Sequence, residues 1–185
     1  FLMFAFSPFC IITTTLYGQN DTLVSGLIVL SLFISISKNT RINSLISAIS
    51  LAFATMVKVY PIFIAPLFIW RKRRTDVTFF TSYFLSITLI LLTSISIWGR
   101  STIIPIIFSA ARKSKHLSFF NFFRQIIGID LDSYSEFSMA AVILIALFFI
   151  YKYKIDLLPS VLIILALALS FYKVGHAQFF LFFFA

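Results

Sequence analysis

The chain has 185 residues, 61% of them hydrophobic and only 11% charged, with a mean hydropathy of +1.05 and a net charge of +9. That balance excludes an ordinary soluble domain and indicates a polytopic membrane protein, in which basic inner loops and anionic lipid headgroups account for the positive charge better than nucleic acid does. Cys10 is the only cysteine, so there is no internal disulfide, and with two histidines it is too little for a dedicated zinc site.

Phe1 is not an initiator Met, and Ala185 falls inside the apolar run FFLFFFA, so the sequence reads as an internal piece of one transmembrane domain, 1–185, lacking parts at both ends. About seven membrane segments or half-segments are expected. Residues 1–16 read as the outer end of a helix, with Pro8 near its exit. The polar knot Tyr17-Gly18-Gln19-Asn20-Asp21-Thr22 follows, and Asp21 is placed to cap the next crossing, 22–37, which ends at Lys38 and Arg41.

Residues 42–70 are an apolar run broken at Lys58, Tyr60 and Pro61. The run is too short for two full crossings, and a single crossing would put Arg41 and Arg71-Lys72-Arg73-Arg74 on opposite sides, against the positive-inside bias. The expected solution is a short hairpin in which 44–57 go out, Lys58 to Pro61 turn, and 62–70 return. The return arm is about 14 Å long at the helical rise, which leaves Lys58 at membrane depth. A charge there is costly unless it faces water or an anion.

Residues 77–97 cross next, with Trp98 at the interface. Residues 99–136 form the one long loop, carrying Arg100, Arg112, Lys113, Lys115, His116 and Arg124, then Asp130, Asp132 and Glu136. Within it LSFFNFFRQIIGI has helical spacing, with Phe119, Phe120, Phe123, Ile126 and Ile127 on one face and Asn121, Arg124 and Gln125 elsewhere, as expected of a helix lying in the interface. Residues 137–151 cross inward to Lys152 and Lys154, residues 157–172 cross outward, and Lys173-Val174-Gly175-His176-Ala177-Gln178 opens a last crossing. The fold class expected is therefore an all-α, polytopic transmembrane bundle. Lys38/Arg41, Arg71 to Arg74 and Lys152/Lys154 fall on one side, and every polar cluster suited to chemistry falls on the other.

Each cluster has a functional and a plainer reading. Asp21 is a ligand-orienting carboxylate or a helix cap, with Gln19 and Asn20 beside it suited to sugar hydroxyls. Lys58 meets a phosphate or snorkels to the surface. Tyr60 lines the same turn or is an interfacial aromatic. Arg112, Lys113, Lys115 and His116 hold a lipid phosphate or are a solvated loop, and His176 and Gln178 are a site or an ordinary helix terminus. Asp130, Asp132 and Glu136 read as solvated loop acids, since their spacing is not diagnostic of a cation site. No phosphate-binding GxxxxGK[ST], GxSxG or HExxH pattern is present.

Four stretches in order, YGQNDTLVSGLIVLSLF (17–33), ATMVKVYPIFIAPLFI (54–69), ARKSKHLSFFNFF (111–123) and FYKVGHAQFFLFF (171–183), resemble the catalytic subunit of GPI mannosyltransferase I and its bacterial and archaeal polyprenol-phosphate-mannose-dependent relatives of the GT-C class. The resemblance implies a GT-C-like bundle that takes a hexose, mannose above all, from a polyprenol- or dolichol-phosphate donor. The acceptor would be a lipid-linked or cell-surface glycan on the outer or lumenal face of a microbial plasma membrane, or of the endoplasmic reticulum if the source is eukaryotic. It carries over Asp21, Lys58 before Tyr60-Pro61, the basic run with His116, and Gln178, whereas His176 has no secure counterpart. It also implies a general base in an external loop upstream of Phe1, and a divalent cation, Mg or Mn, as the one candidate cofactor. The rival readings are a secondary transporter, which needs polar groups reachable from both sides, and a noncatalytic membrane subunit.

Overall fold

Two long apolar helices set the dimension of the molecule. The computed structural model describes residues 21–37, 40–70, 75–102, 115–116, 118–171 and 174–175. Within these, Val77–Thr102 and Asp132–Tyr153 are long and apolar enough to cross a membrane, and shorter apolar helices pack beside them.

Helix α1 (Asp21–Ser37) and helix α2 (Arg41–Val57) form an antiparallel pair. Ser31 and Ser47 exchange hydroxyl-to-carbonyl hydrogen bonds of 2.9 Å in both directions, and the Ser50 hydroxyl donates to the Leu27 carbonyl at 2.9 Å. The α2 side of the seam carries Ser47 and Ser50, small residues that let two backbones approach closely in an apolar medium. Thr40 caps α2, its hydroxyl accepting from the Asn43 amide at 3.1 Å.

The returning arm is a 3-10 turn, Tyr60–Ile64, followed by the short helix α3 (Ala65–Ile69), where a single arm over 62–70 was expected. Prolines near the start of each piece explain this, because neither Pro61 nor Pro66 has an amide hydrogen to carry a helix ladder through. Helix α4 (Val77–Trp98) leads away again, capped by Asp76, whose carboxylate accepts from the Phe79 amide at 2.9 Å. It packs against α2 and α3 through Phe79, Ser82 and Tyr83, with Phe68 stacked on Phe79 at 5.2 Å, while Leu85, Leu89 and Leu92 are exposed along its length. An exposed apolar face on a helix of this length is what a bilayer accommodates.

After the loop come helix α5 (Phe119–Ile126), helix α6 (Ser135–Tyr153) and helix α7 (Leu157–Ser170). α7 is the inner wall of the bundle: Val161, Ile164, Leu165, Ala168 and Leu169 are buried, and the helix packs on α6, on the 3-10 turn and on α3. A two-residue parallel pairing joins β1 (Lys115–His116) to β2 (Val174–Gly175), with His116 opposite Gly175.

Two details of the long loop differ from expectation. Phe120 is buried and Asn121 is buried with it, while Phe119, Phe122, Ile126 and Ile127 are exposed, so the apolar face of α5 is divided between the bundle and its surroundings. Asp132 is not a solvated acid: its carboxylate lies 3.5 Å from the Arg124 guanidinium, which also donates to the Asn121 side-chain oxygen at 2.9 Å. Opposite charges flanking the Gly128 bend (φ +74°) are drawn together once the chain reverses there.

Candidate functional site

Lys58 stands where α2 stops. Its backbone is extended (φ −143°, ψ 136°), and its amide still donates to the Ala54 carbonyl at 3.0 Å. The sequence ends the helix here because Pro61 has no hydrogen to offer the Val57 carbonyl. Tyr60, Pro61 and Ile64 are buried and hold the turn from inside, and Lys58 itself is half-buried.

The depth of the turn follows from two contacts. The Ser44 hydroxyl donates to the Asp76 carboxylate at 2.6 Å, and Thr55 shares a 2.9 Å hydrogen bond with the Tyr83 hydroxyl, so α2 and α4 run side by side in the same direction from a common level. Lys58 is about 21 Å along from Ser44, and α4 continues to about 33 Å. The break therefore falls about 12 Å short of the far end of α4 counted from the Ser44–Asp76 contact and about 18 Å short counted from Thr55–Tyr83, within the layer that the long helix spans.

Asp21 belongs to the same level. With Ser31 opposite Ser47 and Leu27 opposite Ser50, the antiparallel register sets the first turn of α1 beside the last turn of α2. The backbone at Asp21 and the break at Lys58 are thereby neighbours at the end of the molecule away from Arg41, Lys152 and Lys154. The third feature at this end is the β1–β2 pairing, held to the bundle by Phe171, whose ring lies 4.9 Å from Phe119 and 6.1 Å from Phe120. It joins the loop that follows Arg112 and Lys113 in sequence to the segment that leads into His176 and Gln178.

Gln19, Asn20, Arg112, Lys113, His176 and Gln178 lie outside the described residues, as do the side chains of Asp21 and His116. The described structure puts the backbone at Asp21 level with the end of α2 by register, and pairs those at His116 and Gly175. Among the described residues no three of His, Cys, Asp and Glu gather as a metal set, and with Asp132 engaged by Arg124 the loop acids do not fit one. Sequence reasoning missed the Asn121–Arg124–Asp132 group, although the i, i+3 spacing of Asn121 and Arg124 was the available signal. A cavity of about 950 Å³ opens at the opposite, basic end, beside Trp70 and Lys154.

Lys58 thus places a basic side chain at a helix break within the span of α4. No curated protein and no solved structure matches the chain. The family model of glycosyltransferase family 87 matches residues 1–178, and the chain belongs to that family of membrane glycosyltransferases.

Proposed function

We propose that the chain moves a hexose, mannose, from a polyprenol- or dolichol-phosphate donor to a lipid-linked or cell-surface glycan on the outer or lumenal face of its membrane, with the GT-C type of architecture. The observation that carries this reading is the position of Lys58: half-buried, at a helix break, about 12–18 Å inside the far end of α4 and level with Asp21 by register. A long-chain lipid phosphate enters a protein from the side and at this depth, whereas a soluble nucleotide sugar would be met by a water-facing domain. Sidedness supports the reading over a transporter, because the alternation of basic connections along the sequence assigns the polar candidates to one side.

The chemistry is a single displacement at the anomeric carbon. The acceptor oxygen forms its bond to C1 as the bond from C1 to the lipid phosphate oxygen breaks, and the acceptor proton passes to a carboxylate base of an external loop. The departing polyprenyl phosphate gains negative charge, which the Lys58 ammonium neutralises from a fixed position in a site poor in water, with Arg112 or Lys113 assisting. Asp21, Gln19, Asn20 and Gln178 orient sugar hydroxyls, His116 and His176 bound the same space, and buried Tyr60 fixes the turn. No step is routed through a metal. Membranes containing the intact protein, supplied with radiolabelled polyprenyl-phosphate mannose, should form labelled glycolipid. Sugar flux into sealed vesicles without transfer would support a transporter instead.

A further inference from the structure

At the basic end, α1, α3, α6 and α7 surround the cavity of about 950 Å³, a size suited to a ligand and far from Lys58. Ile36 and Leu67 give it apolar walls, and Trp70, Tyr151, Lys154 and Asp156 stand around it. The wall is rigid where it matters: Tyr151 donates its hydroxyl hydrogen to the Pro66 carbonyl at 2.8 Å, and its ring meets Trp70 edge-on at 5.6 Å. Lys154 is held by a left-handed backbone (φ 55°) at the end of α6, and among the described residues its ammonium has no ion pair. By contrast, the ammonium of Lys152 lies over the rings of Phe148 and Tyr153 at 5.9 and 5.7 Å and does not line the cavity.

We infer that this cavity is a binding site for an anionic phospholipid of the leaflet at the basic end, its acyl chain along Ile36 and Leu67 and its phosphate at Lys154. Charge selects this occupant. In sequence the connections at this end carry Lys38, Arg41, Arg71-Lys72-Arg73-Arg74, Lys152 and Lys154 against only Asp76 and Asp156. Asp76 is engaged by Ser44 and by the Phe79 amide, and Asp156 stands at the start of α7, where the helix dipole offsets it. The remaining field is positive, so an apolar slot with a cationic mouth favours a negative headgroup over a zwitterionic one.

Trp70 is half-exposed beside the cavity, and Trp98 is the only other tryptophan of the 185 residues. With Trp98→Phe, Trp70 fluorescence reports on the cavity in phosphatidylcholine vesicles containing a minor fraction of brominated lipid. Brominated phosphatidylglycerol should quench with about fivefold higher apparent affinity than brominated phosphatidylcholine, and that preference should shrink at high salt. Adding Lys154→Asn, which tolerates the left-handed backbone, should remove most of it, while Lys152→Asn should leave it. Equal quenching by the two lipids, a preference for phosphatidylethanolamine, or a preference unchanged by both salt and Lys154→Asn would overturn the inference. The readout is independent of sugar transfer, and the salt series stands even where a variant folds poorly.

Discussion

The Ser44 hydroxyl donates a 2.6 Å hydrogen bond to the Asp76 carboxylate, closing a loop of 32 residues that contains the whole broken hairpin. Because Ser44 is in the first turn of α2 and Asp76 caps α4, the bond fixes where the returning arm ends. The level of Lys58 then follows from helix length alone.

This latch has a measurable strength. Asp76→Ala removes a cap and a charged hydrogen bond and should lower stability by about 2–3 kcal/mol, and Ser44→Ala by about 1–2 kcal/mol. The double variant should cost less than the sum, since both changes delete one shared bond. Thermal unfolding in detergent, followed by fluorescence or circular dichroism, measures this coupling. Strict additivity would mean that the contact carries no energy.

Pro61 is the second control on Lys58. Pro61→Ala restores an amide that can bond the Val57 carbonyl, so α2 is expected to extend and re-aim the lysine. Sugar transfer should fall by about tenfold or more while helix content holds or rises, because a displacement of about 1 Å in a positioned group is enough for a large rate loss. Transfer at the wild-type rate would show that the break is not required.

Much of this architecture is legible in the residues. Lys58 and Pro61 announce the helix break, and Lys38 and the Arg71–Arg74 run follow the ends of helices, because charge and a missing amide hydrogen act locally. Helices are found within two residues at each end of the crossings expected at 22–37, 77–97, 137–151 and 157–172, and the second and third of these are long and apolar enough to cross a membrane. What depends on packing is not legible. Periodicity groups Phe120 with Phe119 but cannot say which of them meets protein, and only the folded chain turns Asn121 inward and brings Asp132 to Arg124. The cavity at the basic end is likewise a product of four helices meeting, with no signature in any one of them.

The Arg124 group makes a third prediction. Arg124→Ala leaves Asp132 and buried Asn121 without their shared donor and should cost about 1–3 kcal/mol, felt as faster proteolysis of the connection between α4 and α6 rather than global unfolding. The exchanged pair Arg124→Asp with Asp132→Arg should recover part of the protection. Equal cleavage of wild type and Arg124→Ala would show that the ion pair does not order the loop.

The seam between α1 and α2 should tolerate little bulk. Ser47→Leu drives a branched chain into a position of zero exposure and should cost about 1–3 kcal/mol, whereas Ser47→Ala, which loses the Ser47 hydroxyl's bonds but keeps the one from Ser31 to the residue 47 carbonyl, should cost about 0.6 kcal/mol. Unfolding of the reconstituted protein by denaturant distinguishes the two. A Leu variant as stable as wild type would mean that the helices are not closely apposed there.

The most direct test of the central claim is single-turnover transfer from labelled polyprenyl-phosphate mannose by Lys58→Ala in the intact protein. A preorganised cation facing the leaving phosphate predicts a loss of about 100-fold or more, with partial recovery in Lys58→Arg and unchanged helix content and insertion. A Lys58→Ala protein that inserts normally and transfers sugar at close to the wild-type rate would contradict it.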